Sequence, residues 1–170
     1  MPPVAYARLK DDQKCIYQAF EHVYGNTETG AQMGEYVNRQ GIDADDDAAV
    51  HSLAQRYGLN EIEMFLGEDW NKGNYNLEKG WEYVLTINAQ NSMIKDFKDK
   101  RKGETALKGS AVKEIQTKYA KEVGHAIYCK TKKINMEIDE WLDFQKIYKK
   151  PGTGFPDNVL VVAYGRKRAD

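Results

Sequence analysis

The chain has 170 residues and a formal net charge of −1, with 25 Lys and Arg set against 26 Asp and Glu. That balance excludes a nucleic-acid-type basic composition and an acidic tail, and the length suits one domain with a core of its own. The 2 cysteines are too few for a disulfide framework and point to a reducing compartment, and no apolar run is long enough to span a bilayer.

Residues 2–9 read as an extended lead-in. A polar turn, Asp11-Asp12-Gln13-Lys14, becomes an apolar helix at Cys15, with Ile16, Ala19, Phe20, Val23 and Tyr24 at helical spacing and Gly25 as its stop. Cys15 falls in the first turn, where free N–H groups and the helix dipole favour the thiolate, the nucleophilic form of cysteine. An inert cysteine that merely packs is the plain alternative. Residues 26–30 form a polar loop, and Gln32 to Gln40 a short helix.

Asp43, Asp45, Asp46 and Asp47 precede a stripe of Ala49, Val50, Leu53, Ala54 and Tyr57, as suits a helix ended by Gly58. Adjacent carboxylates without an opposing ligand set are solvated rather than metal-binding. Glu61 to Leu66 alternates as a strand. Asp69 to Gly73 opens like a calcium loop but lacks its sixth-position glycine and twelfth-position glutamate, where Asn74 and Gly80 stand. Trp81 to Ile87 is a second strand, with Trp81, Tyr83, Leu85 and Ile87 on one packed face. Lys95 to Lys102 is lysine-rich. Glu104 to Val123 reads as an amphipathic helix burying Leu107, Ala111, Ile115 and Tyr119. Its lysines alternate with acids, which favours a solvated face over a nucleic-acid surface. His22 and His51 lie in helices as surface or packed residues, and neither a metal nor a cofactor is expected.

Val123 to Cys129 reads as a buried strand with His125 at its entrance, followed by a polar turn, Lys130 to Lys133. Alternation then sends Ile134, Met136 and Ile138 to one face and Asn135, Glu137 and Asp139 to the other. A hairpin of these strands brings Asp139, late in the second, near His125, early in the first. Cys15, His125 and Asp139 thus supply a nucleophile, a base and its orienter, with Asp143 and Asn135 as substitutes for the last. The fold class is α+β, a helical part carrying Cys15 against an antiparallel sheet carrying His125 and Asp139, with the site in the cleft between them. Val159 to Tyr164 is the final strand, and Gly165 to Asp170 a polar, mobile tail.

Cys15 opening an apolar helix, the strand His125-Ala126-Ile127-Tyr128 and the strand end Ile138-Asp139-Glu140 resemble papain-like cysteine proteases, most closely the leader proteases of foot-and-mouth-disease-type picornaviruses. Phe155 to Tyr164 is similar to that family's last strand, and Ala49 to Leu53 with Gly58-Leu59 to one of its helices. The likeness thins between about residues 61 and 121. Asp12 to Ala19, with Tyr24-Gly25-Asn26, also resembles the nucleophile segment of OTU deubiquitinases, which share the papain-like arrangement.

The first resemblance implies a single papain-like domain over 1–170. It implies a Cys-His-Asp endopeptidase of viral leader type that releases itself from a polyprotein. Host proteins are then its substrates, with translation initiation and ubiquitin-like modifiers as targets, in the host cytoplasm. The second implies isopeptide cleavage after the Gly-Gly tail of ubiquitin or a similar modifier. The partner is a protein or polyprotein substrate in either case, without membrane or nucleic acid. The leader proteases carry an amide side chain several residues before the cysteine that helps bind the oxyanion. Leu9-Lys10-Asp11 has none, so Gln13 and the Cys15 backbone N–H are the candidate donors. A reading from another class is a non-enzymatic nucleic-acid-binding module using the basic helix, in which Cys15 and His125 are incidental.

Overall fold

The computed structural model describes residues 18–23, 32, 47–75, 77–119, 125–143, 146–148 and 154–168. Cys15 and Gln13 lie outside the described residues, as do the 2–9 lead-in, the 26–30 loop and the helix expected over Gln32 to Gln40, Gln32 itself excepted. Residues 18–23 are helical. The elements that follow are α1 (Asp47–Arg56), β1 (Glu61–Leu66), α2 (Gly67–Asn71), β2 (Trp81–Asn88) and α3 (Asn91–Arg101). Then come β3 (Ala106–Lys108), α4 (Ser110–Lys118), β4 (His125–Thr131), β5 (Ile138–Leu142) and β6 (Leu160–Lys167). The architecture is α+β, built on a six-stranded antiparallel sheet in the order β3-β1-β6-β2-β4-β5.

Strand alternation divides the core in two. Tyr83, Leu85 and Ile87 of β2 join Phe65, Ile127, Cys129, Val161 and Ala163 on one face. An aromatic layer covers them, made by Trp70, Tyr75, Trp141, Tyr148 and Phe155. Val84, Ala126, Tyr128, Val162 and Tyr164 occupy the other face, under Phe20 and Val23, Val50 and Leu53 of α1, Phe97 of α3 and Ile115 of α4. Segment 18–23, α1, α3 and α4 therefore cover one side, and the short α2 with the aromatic residues of neighbouring segments covers the other. The loop side is stapled by Asn71, whose amide bonds Phe155 O at 2.6 Å and Phe155 N at 2.8 Å. Gly67 makes this possible, since a Cβ there would lie 2.2 Å from Pro156 O.

α1, β1 and β2 occupy the expected places, and Gly58 ends α1's turn at φ +89°. The helix expected over Glu104 to Val123 is instead two elements. Leu107 pairs with Met64 of β1, and Gly109 turns the chain at φ +59° while its N–H bonds Ile62 O. Tertiary pairing overrides the local helical pattern, and α4 buries Val112, Ile115 and Gln116.

The tail also differs from expectation. β6 runs on to Lys167 opposite Trp81, and Arg168 N bonds Gly80 O at 2.9 Å. β2 offers partners along its whole length, and Gly165 leaves room for the Tyr83 ring, which a Cβ would approach to 2.4 Å. Gly165 to Arg168 is therefore anchored rather than frayed. Among the described residues no helix is long and apolar enough to cross a membrane.

Candidate active site

β4 and β5 form the expected hairpin, in a different register. β5 begins at Ile138, after a bent turn in which Ile134 is 81% exposed, so the apparent alternation over 134–138 makes no ladder. Tyr128 faces Leu142, Lys130 faces Glu140 and Thr131 faces Ile138, which leaves Asp139 as the extra residue of a bulge. Asp139 therefore sits at the turn end, exposed, 3.4 Å from the Arg168 guanidinium. Six strand residues, about 20 Å, separate that end from His125. The structure does not bring Asp139 to His125.

It brings Asp143. His125 Nε2 lies 2.8 Å from Asp143 Oδ2, with side-chain exposures of 5% and 1%. The same oxygen accepts the backbone N–H groups of Ile147 at 3.1 Å and Tyr148 at 2.7 Å. Asp143 thus ties His125 to the turn that follows β5, where Lys146 adopts φ +60° and Trp141 Nε1 donates to Tyr148 O. The Tyr148 ring lies 5.8 Å from the imidazole, and burial beside the Asp143 charge raises its phenol pKa.

In the tautomer that donates Nε2–H to the Asp143 carboxylate, which accepts, Nδ1 carries the lone pair. Among the described residues Nδ1 is buried without a hydrogen-bond partner. A buried acceptor left open costs about 1–3 kcal/mol.

The helical segment 18–23 lies over the other face of the same strands. β4 and β6 both pair with β2, so residues sharing a β2 partner stand at one height. His125 and Val161 stand opposite Ile87, Tyr128 and Tyr164 opposite Val84, Lys130 and Arg166 opposite Glu82. Phe20 meets Tyr164 at 6.0 Å, and the Val23 carbonyl accepts from Arg166 at 2.8 Å. The segment therefore advances away from the His125 end, and its upstream end faces that way. His22 contacts the Tyr128 ring edge-on at 4.4 Å and Glu140 at 3.5 Å.

Cys129 is fully buried in β4, and burial pushes its thiol pKa well up, which makes it unreactive. Asn135 lies in the hairpin turn, its Oδ1 accepting from Glu137 N. Asp69 pairs with Arg101 at 3.2 Å. Lysines of the basic stretch also meet acids: Lys118 meets Asp96 at 2.8 Å and Lys100 meets Glu114 at 3.5 Å. Among the described residues no group of three or more His, Cys, Asp or Glu could hold a metal ion.

Glu82, missed by the sequence reading, is a buried carboxylate in the central strand β2, bonded to Tyr128 and Arg166. Its signal was a charge at an even position of an otherwise apolar run. The chain matches no known protein family, no curated protein and no solved structure.

Proposed function

We propose that the protein is a cysteine endopeptidase of papain-like arrangement, with Cys15 as nucleophile, His125 as base and Asp143 as orienter. The buried imidazole carries this reading: one nitrogen is fixed on a carboxylate and the other is open. In the mechanism, His125 Nδ1 takes the Cys15 thiol proton and the thiolate attacks a peptide carbonyl. The imidazolium, stabilised by Asp143, returns that proton to the leaving amine, and water then hydrolyses the thioester. The Cys15 backbone N–H and Gln13 are the candidate oxyanion donors, each worth about 3 kcal/mol of transition-state stabilisation.

The paired lysines count against a nucleic-acid module. For a leader-type enzyme, the path of β6 bears on self-processing. The chain leaves the sheet beside Trp81, six residues of β2, or about 20 Å, from Ile87 and His125.

The test is alkylation combined with activity probes. Iodoacetamide modifies Cys15 about a hundredfold faster than Cys129 at neutral pH. Equal rates, or faster labelling of Cys129, remove the nucleophile. A peptide library and a ubiquitin-aldehyde probe, run together, separate endopeptidase from OTU-like isopeptidase. Capture of the ubiquitin probe without peptide cleavage makes the second the activity.

A further inference from the structure

We propose that the trough over β6, on the aromatic face of the sheet, binds an arginine side chain of an extended peptide, independently of the hydrolase reading. β1, β6 and β2 lie side by side, and their register sets Glu61, Gly165 and Tyr83 in one row and Glu63, Ala163 and Leu85 in another. Alternation puts these residues on the face that carries Phe65 and Val161. The middle strand thus offers only glycine and alanine between carboxylates on β1 and large side chains on β2. A cavity of about 650 Å³ opens there, lined by Glu63, Tyr83 and Ala163 among others. That size falls within the roughly 300–1,000 Å³ of ordinary ligand pockets.

The two walls differ in chemistry. On the β2 side the Trp81 and Tyr83 rings lie within 24° of parallel, their centroids 6.2 Å apart. They lean over β6, since a Cβ at Gly165 would stand 3.3 Å from Trp81 and closer still to Tyr83. On the β1 side stand Glu61 and Glu63. Glu78 joins them from the segment before β2, its backbone N–H donating to the Tyr83 hydroxyl at 2.7 Å. Among the described lining residues Lys108, opposite Glu63 in β3, is the one cation.

Glu63 is half-buried, and among the described residues no hydrogen bond or ion pair engages its carboxylate. Burial raises its pKa, Lys108 lowers it and Glu78 raises it again, so its neighbours do not offset the desolvation. A cation brought into the trough supplies what Lys108 does not. Flat rings beside carboxylates favour a guanidinium, which stacks on an aromatic face while its forked N–H groups bond a carboxylate. A second hollow of about 360 Å³ continues past Glu63 and Lys108 to Tyr75 and Glu104. Two hollows in file suit an extended peptide rather than a small free cation, and their acidic lining repels nucleic acid.

The experiment is calorimetric titration of the full chain with acetyl-Ala-Arg-Ala-Arg-Ala-amide, beside its lysine and citrulline counterparts. Citrulline keeps the planar shape and removes the charge. The arginine peptide binds about tenfold tighter than the citrulline peptide and about threefold tighter than the lysine peptide. Glu63→Gln weakens the arginine peptide about tenfold, and Trp81→Leu about fivefold. Glu114→Gln removes the same charge from an exposed acid of α4, paired with Lys100, and leaves the affinity unchanged.

Equal weakening by Glu63→Gln and Glu114→Gln shows diffuse attraction and overturns the proposal. So does citrulline or lysine binding as tightly as arginine, or no heat from the arginine peptide at about 1 mM. If Trp81→Leu unfolds, as near-ultraviolet circular dichroism reports, Glu78→Gln takes its place with an expected loss of about threefold. Hydrolysis enters none of these readings, so a failed nucleophile and an empty trough are separate results.

Discussion

His51 and His125 are both buried, at 2% and 4% exposure, yet their surroundings are opposite. His51 Nδ1 lies 2.6 Å from Gln116 Oε1, and the Gln116 amide donates to Tyr164 OH. Every partner in that chain is neutral. Burial lowers the His51 pKa despite the Gln116 bond, and the Lys113 charge pushes the same way, so the ring stays uncharged and joins α1 to α4 and β6. His125 instead faces a carboxylate and leaves one nitrogen open. A histidine closed into neutral groups builds a core. One held by a carboxylate on a single side, its other nitrogen unbonded among the described residues, is the arrangement that the proposed proton transfer uses.

The strongest break between the two is kinetic. His125→Ala reduces peptide hydrolysis by about a thousandfold or more, the contribution of a general acid–base group. His51→Gln leaves turnover per folded molecule unchanged. Loss of turnover in folded His51→Gln with retention in His125→Ala would reverse their roles.

The two aspartates sharpen the same contrast. Asp143→Asn keeps a carbonyl able to accept the Ile147 and Tyr148 N–H groups but removes the charge facing His125. Turnover falls about a hundredfold or more without unfolding, since the orienter sets the tautomer and stabilises the imidazolium. Asp139→Asn, on the exposed Arg168 contact, stays within about twofold of wild type, as suits a surface pair. A large loss at Asp139 alone returns the orienter to that position.

The smallest effect is thermodynamic and belongs to His51. The unfolded ring takes up a proton near the ordinary histidine value of 6.5, whereas the folded ring resists until lower pH. Its contribution to stability is therefore complete above that value and is lost as pH falls through the lowered folded pKa. Denaturant unfolding from pH 8 to 5 detects this as a wild-type slope that His51→Gln flattens. An unchanged slope in the variant shows that His51 does not titrate as described.

The parts of the fold legible in the sequence were those with one clean periodicity. Trp81, Tyr83, Leu85 and Ile87 alternate and share one face, and Val50, Leu53 and Ala54 line the buried side of α1. What misled was periodicity that tertiary pairing did not use. Ile134 and Met136 alternate in an exposed turn, so β5 starts later and the carboxylate beside His125 comes from Asp143. Leu107 continued a helical stripe, yet a free edge of β1 recruited it. Gly165 to Lys167 looked polar enough to fray, yet β2 had unused partners for them. Such choices depend on which strand edges are open, and a local pattern cannot report that. His125 stood out in the sequence because a histidine opening an apolar strand needs a partner, and the structure gives it Asp143.

The sheet order carries one more consequence, for the behaviour of the molecule in concentrated solution. Among the described strands β3 and β5 are the outermost. β3 has only three residues, and β5 has a bulge at Asp139 followed by Glu140. Short, kinked and acidic borders are poor templates for strand pairing with another chain, the route by which exposed sheet edges seed aggregates. The long strands β2 and β6 are shielded in the interior of the sheet. Deleting Asp139 from the bulge would straighten β5, extend its regular edge and turn a border into a site of accretion.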